Sequence, residues 1–243
     1  MGDQEQKFYI KVIPSVYFIW ILAFVIVGSY GSSLPSRDLT TILDRQIPFI
    51  PEFVWIYFAC YVLPLLSFIV LTDWHRLNYM LLSFIIANLS SFVVYITFPI
   101  NFRRPELGQS LVEHFLLILY GADFFSSSNN FPSMHVTFAW LFYFMCRGQR
   151  LGKVGDSLVL LLVVMITIST LFIKMHLVTD AIFGFLWALA TWALTKYLYP
   201  RLANSQVRAS AAFKEMVGGL VPVFLLFGAL FFFVVVFRLL LII

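Results

Sequence analysis

Two histidines and a carboxylate at the ends of apolar segments are the residues of this sequence whose types and spacing suit chemistry best. His135 ends the sequence Pro-Ser-Met-His just before one apolar segment, His176 follows the next, and Asp180 comes four residues after His176. The chain has only 4 histidines and 12% charged residues, so such a grouping is not expected by chance. Ionisable groups at membrane depth are costly, and they typically face a polar interior or react. The pattern indicates phosphoryl transfer through a histidine.

The spacing of His176, Asp180 and Gly184 predicts a role for each. They recur every four residues, so a continuous helix would align them on one face. Asp180 would accept the Nδ1 hydrogen of His176, fix its tautomer and leave Nε2 as a nucleophile. Gly184 would let another helix approach. A histidine capped by a local carboxylate at a helix start is the structural alternative, and this pair alone does not decide between them.

The other candidates surround a phosphate. His135 follows a polar loop, where it could protonate a leaving oxygen as a general acid. Ser133 and the free N–H groups of a helix N-terminus predict an anion site. Arg103 and Arg104 end another apolar segment, and a guanidinium can bind phosphate through two parallel hydrogen bonds. We predict that Arg104, Ser133 and Lys174 bind phosphate, with Arg103 as a further candidate, although an arginine that snorkels to a membrane surface would have the same position.

The composition predicts that membrane helices position these residues. The chain of 243 residues is 61% hydrophobic, with 28 phenylalanines, and its mean hydropathy is +0.93. Soluble domains are about half apolar and a quarter charged. The net charge of +4 suits anionic lipid headgroups better than nucleic acid. We therefore predict an all-α, polytopic membrane helical bundle, in which Cys60 and Cys146 are buried thiols.

Seven apolar segments are candidates for membrane spans, because a bilayer core takes roughly 20 apolar residues as a helix. They cover residues 11–30, 54–72, 79–100, 133–147, 157–175, 178–199 and 217–242. The fourth is short, at roughly 22 Å of helix. The mixed stretch 106–131 predicts a short interfacial helix followed by a polar loop.

These segments divide the chain within one structural domain. Residues 1–53 would form an N-terminal span and an outer loop, residues 54–199 the catalytic membrane core, and residues 200–243 a loop and an extra C-terminal span that follows a bundle of six. The glycines of this last span could support helix packing and a homo-oligomer.

The distribution of lysine and arginine predicts the orientation. Of the 16 such residues, ten fall in loops on the side of the N-terminus, which is therefore expected to be cytoplasmic. Arg104, His135 and His176 then all emerge on the opposite, non-cytoplasmic side, which could be periplasm, cell exterior or an organelle lumen. The count of lysines and arginines did not assume that these three residues share a side, so their common location is an independent check.

At these residues the sequence resembles the type 2 phosphatidic acid phosphatase superfamily. Members of that family carry three short motifs, Lys-x6-Arg-Pro, Pro-Ser-Gly-His and Ser-Arg-x5-His-x3-Asp. Residues 132–135 resemble the second motif, with methionine in place of glycine. The third motif begins at Ser169 and places its histidine and aspartate on His176 and Asp180, while only Arg104-Pro105 remains of the first.

The resemblance covers about residues 54–199 and implies a bundle of six transmembrane helices with its site near the membrane face. It implies that His176 attacks phosphorus, Asp180 orients it, and His135 protonates the leaving group. Water or an acceptor alcohol then resolves the phosphohistidine. No metal and no cofactor takes part in that scheme.

Two departures from the family concern the phosphate site. Thr97 and Thr170 stand where the family has a lysine and an arginine. Arg103 could replace the first and Lys174 the second. Met134 and the sequence Lys-Met-His that ends at His176 are more similar to the branch that contains inositol phosphorylceramide synthase. That branch includes phosphotransferases.

We therefore expect an integral membrane enzyme that hydrolyses a phosphate monoester or pyrophosphate of a lipid without metal. A lipid phosphotransferase, which moves a phosphate-bearing headgroup to an acceptor alcohol, is the first alternative, because both reactions share the histidine intermediate. A non-enzymatic transporter or scaffold is the second, and it is disfavoured because charge is concentrated at one rim of the spans. The expected partners are a phosphorylated lipid and the bilayer, with no nucleic acid.

Overall fold

Helices form almost all of the regular structure of this protein. The computed structural model describes residues 3–71, 74–122, 129–149 and 151–204. The helices are α1 (Asp3–Ser32), α2 (Ile42–Gln46), α3 (Val54–Val70), α4 (Trp74–Thr97), α5 (Leu111–Ala122), α6 (Met134–Cys146), α7 (Gly152–Phe172) and α8 (Val178–Asn204). Those ranges contain no β-strand, only isolated bridges. The predicted all-α bundle is confirmed.

Three helices are long and apolar enough to cross a bilayer. They comprise residues 75–97, 152–172 and 178–200, and they indicate a membrane protein. The segments 54–72 and 133–147, predicted as spans, form the shorter helices α3 and α6, and α6 is as short as expected, with 13 residues or about 20 Å. The predicted span 217–242, and with it the proposed oligomer contact, lies outside the described residues.

Several predicted boundaries differ from the observed ones. The predicted interfacial helix appears as α5, which is almost entirely apolar after His114. The fifth span begins at Gly152, five residues earlier than predicted, because a turn with positive φ at Gly148 and Gly152 already reverses the chain. Helix α8 continues through Pro200, past the predicted end of the catalytic core. The division into three regions stays a prediction.

Helix α6 is the centre of the bundle. It packs against α3, α4, α7 and α8, while α1 packs on α4 and α3 on α7. Buried side chains such as Val136, Ala139 and Leu141 occur all around α6 rather than on one face. A helix that is apolar on all sides is typically enclosed by its neighbours. The central position of α6 brings its N-terminus, which carries His135, against the surrounding helix ends.

Candidate active site

The predicted reactive residues meet at one end of the bundle. There the N-termini of α6 and α8 lie beside the C-terminus of α7, and the backbone N–H of Ser133 donates to the carbonyl of Asp180 at 3.0 Å. The loop before α6 is held by Tyr95, whose hydroxyl donates to the Pro132 carbonyl at 3.1 Å, and by Asn130, whose amide donates to the Ile100 carbonyl at 3.1 Å. The side of the membrane on which this end lies stays a prediction.

A close approach of α8 to the start of α6 makes this meeting possible. A methyl group at Gly184 would lie 2.6 Å from the carbonyl oxygen of Ser133, which is too close for a side chain. The Thr137 hydroxyl bridges the two helices, at 2.8 Å from the Ser133 carbonyl and 3.0 Å from that of Gly184. The expectation that Gly184 admits a second helix is confirmed.

Gly184→Ala is therefore expected to destabilise the fold and displace the N-terminus of α6. Overpacking of this kind typically costs about 1–3 kcal/mol, and thermal unfolding in detergent measures it. Ile182→Ala is the matched control, because that side chain is 52% exposed on the same helix. Equal unfolding temperatures for the two variants would contradict the close contact.

The two predicted histidines face each other directly. Nδ1 of His135 lies 3.1 Å from Nε2 of His176, and the ring centroids are 5.3 Å apart. His176 is only 5% exposed, and Asp180 is fully buried. Oδ2 of Asp180 lies 3.5 Å from Nδ1 of His176. Nδ1 of His176 accepts or donates no hydrogen bond among the described residues. Asp180 therefore faces this nitrogen as predicted, but the distance is too long for a good hydrogen bond.

His176 does not lie on a helix, contrary to the expectation of one helical face with Asp180 and Gly184. Helix α7 ends in a Schellman turn, with Lys174 in the left-handed region at φ 51°. The N–H of Lys174 donates to the Leu171 carbonyl at 3.2 Å, and that of Met175 to the Thr170 carbonyl at 3.0 Å. His176 therefore falls in the loop before α8, and only Asp180 lies in the first turn of that helix.

Two tyrosines that sequence reasoning missed complete the histidine pair. The Tyr57 hydroxyl lies 2.7 Å and the Tyr61 hydroxyl 3.1 Å from Nε2 of His135. Both belong to α3, one turn apart. The sequence feature that could have revealed them is the pair of tyrosines four residues apart within an apolar segment. A buried tyrosine hydroxyl usually has a hydrogen-bond partner, so such a pair indicates a polar group nearby.

The chain of contacts selects one set of ring protons. If Nδ1–H of His176 points to Asp180, Nε2 of His176 carries a lone pair and must accept from Nδ1–H of His135. Nε2 of neutral His135 then accepts from Tyr57. Because a phenol hydroxyl can also accept, the same contact suits a doubly protonated His135. This arrangement places the electron pair of His176 on Nε2, where it accepts from His135.

Tyr57→Phe is expected to lower kcat by roughly tenfold, because His135 then loses its shortest hydrogen bond while its ring stays in place. Tyr61→Phe is the matched control. Its contact is longer and Tyr57 remains, so its effect should be clearly smaller. Steady-state phosphate release measures both, and a larger loss in Tyr61→Phe would contradict the assignment.

A pocket of about 750 Å³ collects the predicted cations around the reactive end. Arg103, Arg104, Lys174 and His176 all lie on its wall, together with Arg45, which sequence reasoning did not single out. The acidic residues on the same wall are Asp44 and Glu106. Four cations against two carboxylates make the wall net positive, which suits an anionic group.

The cations are held in different ways. The Arg104 guanidinium lies 4.7 Å from the centre of the Tyr120 ring, a cation–π contact, and the Tyr120 hydroxyl donates to the Ile173 carbonyl. Arg103 is 91% exposed and lies 3.7 Å from Glu106. Nζ of Lys174 donates to the carbonyls of two residues, 2.8 Å from Asp44 and 2.6 Å from Ile47. An ammonium has three donors, so one N–H of Lys174 remains for a ligand.

Burial lowers the pKa of Lys174, and the nearby Asp44 carboxylate opposes that shift.

Ser133 and the two threonines at the family's cation positions lie elsewhere. Ser133 is buried and caps α6, where its hydroxyl accepts from the Val136 N–H at 3.4 Å. The hydroxyls of Thr97 and Thr170 both bind carbonyls of their own helices at 2.8 Å. None of the three lies on the pocket wall. Thr170 contributes through its backbone instead, because its carbonyl accepts the His176 N–H at 3.1 Å.

The buried cysteines and the carboxylates give no further site. Cys60 and Cys146 are free and buried, as predicted. Within the described ranges, no three His, Cys, Asp or Glu side chains are grouped so that they could hold a metal ion. The chemistry available at this end of the bundle is therefore that of two imidazoles, a buried carboxylate and a cationic pocket.

Comparisons with known proteins bear on the same region. No curated protein and no solved structure matches the chain. The resemblance to the branch of inositol phosphorylceramide synthase therefore stays a prediction. A family model does match, and its range includes His135, His176 and Asp180 but not Arg103, Arg104 or the tyrosines of α3. Residues 105–203 match the PAP2 superfamily, which supports that superfamily for this chain and, with it, phosphatase or phosphotransferase activity on phosphate esters.

Proposed function

We propose that this protein is an integral membrane enzyme that hydrolyses a phosphate monoester or pyrophosphate of a lipid through a phosphohistidine at His176. The observation that carries the proposal is the approach of His176 Nε2 to His135 Nδ1, at 3.1 Å, behind a pocket with a cationic wall. A nucleophile, an acid and an anion site are the three parts that phosphoryl transfer needs.

In the first step, Nε2 of His176 attacks phosphorus and the bond from phosphorus to the lipid oxygen breaks. The phosphoryl group has to separate the two imidazoles, because His135 occupies the lone pair of Nε2 before substrate binds. Nδ1 of a doubly protonated His135 then gives its proton to the leaving oxygen. Asp180 stabilises the positive charge that develops on His176.

In the second step, water attacks the phosphohistidine. His135, now carrying one proton, takes a proton from the water, the nitrogen–phosphorus bond breaks, and inorganic phosphate leaves. Arg104 and the remaining N–H of Lys174 balance the charge on the phosphoryl oxygens in both steps. The cycle returns each histidine to its starting state and needs no metal.

Two features support a lipid as the substrate. Apolar side chains next to the pocket face outward on α2, where Ile42 is 74% and Leu43 58% exposed. Such residues beside a polar pocket are typical of a surface that contacts acyl chains. The three long apolar helices support a membrane location for the protein, and the lysine and arginine distribution favours the non-cytoplasmic face for the pocket.

Phosphotransfer to an acceptor alcohol is the second candidate. A volume of about 750 Å³ exceeds what one phosphate group fills and leaves room for an acceptor next to the phosphohistidine. With an alcohol in place of water, the same steps would convert a phosphate monoester into a new monoester and a phosphodiester donor into a new phosphodiester. The histidines have the same roles in both reactions.

A substrate panel tests the proposal. Protein purified in detergent is offered a phosphatidate, a sphingoid phosphate, an isoprenoid diphosphate and a lipid A phosphate, each with chelator and with or without an added alcohol. Hydrolysis predicts free phosphate without the alcohol, whereas transfer predicts a product that appears only with it. Turnover that vanishes with chelator and returns with a divalent ion contradicts the metal-free scheme. Absence of turnover on every substrate favours a transporter or scaffold.

A further inference from the structure

The short segment of residues 41–47, which includes α2, contacts the loop that carries His176. Asp44 is the centre of this contact and is only 8% exposed. Its Oδ1 accepts the backbone N–H of Val178 at 2.7 Å. Its Oδ2 accepts from the backbone N–H of Thr41 at 2.8 Å and from the Thr41 hydroxyl at 2.5 Å. One carboxylate thus caps both its own short helix and the N-terminus of α8, 134 residues away.

A second contact runs in the opposite direction. Nζ of Lys174 donates to the backbone carbonyls of Asp44 and Ile47. Lys174 lies two residues before His176 and Val178 two residues after it. The segment 41–47 therefore holds the loop of His176 at both ends. Before His176, the Lys174 side chain of the loop binds the backbone of the segment. After His176, the Asp44 side chain of the segment binds the backbone of the loop.

Local partners hold the backbone N–H groups of this loop only as far as Leu177, and the N–H of Val178 depends on Asp44. The left-handed backbone of Lys174 is costly for a residue other than glycine, and it persists only where its surroundings hold it. The first N–H groups of a helix have no partner within that helix. Asp180 takes the N–H of Leu177 at 2.9 Å, and Asp44 takes the next one. Without Asp44 the start of α8 keeps only half of this cap.

We propose that Asp44 is a positioning residue for His176: by fixing the N–H of Val178 it sets the loop 174–178 and hence the placement of Nε2 at the phosphorus. This inference rests on the proposed function of His176. Asp44 lies outside residues 105–203, the part of the chain that matches the superfamily, so the outer loop between α1 and α3 is assigned a part in catalysis.

Three variants separate positioning from simple stability. Asp44→Ala removes both caps. Thr41→Val removes the hydroxyl that pairs with Asp44 in the cap of α2 but leaves the contact with Val178. Asp44→Asn keeps an oxygen for the Val178 N–H while its amide no longer accepts from Thr41. Each is purified in detergent as the full chain and measured for kcat, KM and the unfolding temperature.

Asp44→Ala is expected to lower kcat by about 10- to 100-fold with KM changed less than about threefold, because a small displacement of a reacting group costs rate rather than binding. Thr41→Val should lower the unfolding temperature as much but keep kcat within about threefold of wild type, and Asp44→Asn, which keeps an oxygen for the Val178 N–H, should recover most of the kcat that Asp44→Ala loses. Equal losses of kcat in Asp44→Ala and Thr41→Val would overturn the inference, as would an unchanged kcat in Asp44→Ala.

Hydrogen exchange at the Val178 amide gives a readout that does not need turnover. Exchange should be faster in Asp44→Ala and unchanged in Asp44→Asn and Thr41→Val. Should the wild type turn over no phosphate ester, the proposed function fails by itself, and the exchange measurement still decides whether Asp44 fixes the loop. Unchanged protection in Asp44→Ala overturns the inference whatever the substrate panel shows.

Discussion

His176→Ala is expected to abolish turnover, with a loss of at least about 10⁴-fold in kcat. The proposed reaction has one covalent nucleophile, and no other described side chain offers a nucleophilic nitrogen with a carboxylate behind it at 3.5 Å. The loss should be the same for every phosphate ester that the wild type accepts, because the attack on phosphorus is common to all of them. Phosphate release from detergent-solubilised protein measures it.

His75→Ala is the matched control for this variant. His75 lies near the start of α4, at the opposite end from the reactive residues, where its Nδ1 contacts the Tyr199 hydroxyl at 3.0 Å. It should keep nearly full activity. Substantial turnover by folded His176→Ala would remove the nucleophile from the mechanism and leave a direct attack by water.

His135→Ala is expected to lower kcat by about 10²- to 10⁴-fold on a lipid phosphate, the usual range for loss of a general acid. The loss should depend on the leaving group. With a nitrophenyl phosphate, whose leaving oxygen needs no proton, the same variant should recover most of the rate of the first step, seen as a rapid burst of nitrophenol, while hydrolysis of the phosphohistidine stays slow because His135 is also the base for water.

This dependence separates acid catalysis from orientation of the nucleophile. His135 contacts Nε2 of His176 directly, so its truncation could also disturb the attack. In that case both substrates would lose rate to the same extent. An equal loss in the first-step rate on the lipid phosphate and the nitrophenyl phosphate, each measured in a single turnover, would therefore assign His135 to positioning and contradict its role as the acid.

The parts of the site that sequence could predict are those encoded by local spacing. His176 and Asp180 lie four residues apart, so they meet under almost any local geometry that starts a helix at Val178. The role of Gly184 was predictable because a glycine on the packed face of a helix usually allows a neighbouring helix to approach closely. The apolar segments likewise predicted the helices, since their length and composition leave no other structure in lipid.

The parts that sequence could not predict depend on contacts between distant segments. Tyr57 reaches His135 across 78 residues, and Asp44 reaches Val178 across 134. Lys174 was expected at the phosphate, but two carbonyls take two of its three donors. The loop position of His176 also escaped prediction, because the turn that ends α7 has a lysine where a glycine would have been the usual signal.

Trapping the covalent intermediate tests the central claim most directly. Wild-type protein is mixed with a lipid substrate that carries labelled phosphate, quenched in base within milliseconds, since phosphohistidine survives in alkali but not in acid, and digested for mass spectrometry. The account predicts label on the peptide that contains His176, formed and lost at rates compatible with kcat, retained at higher level in His135→Ala with the nitrophenyl substrate, and absent in His176→Ala. Full turnover with no label on His176 at any time point, or label on another residue, would contradict it.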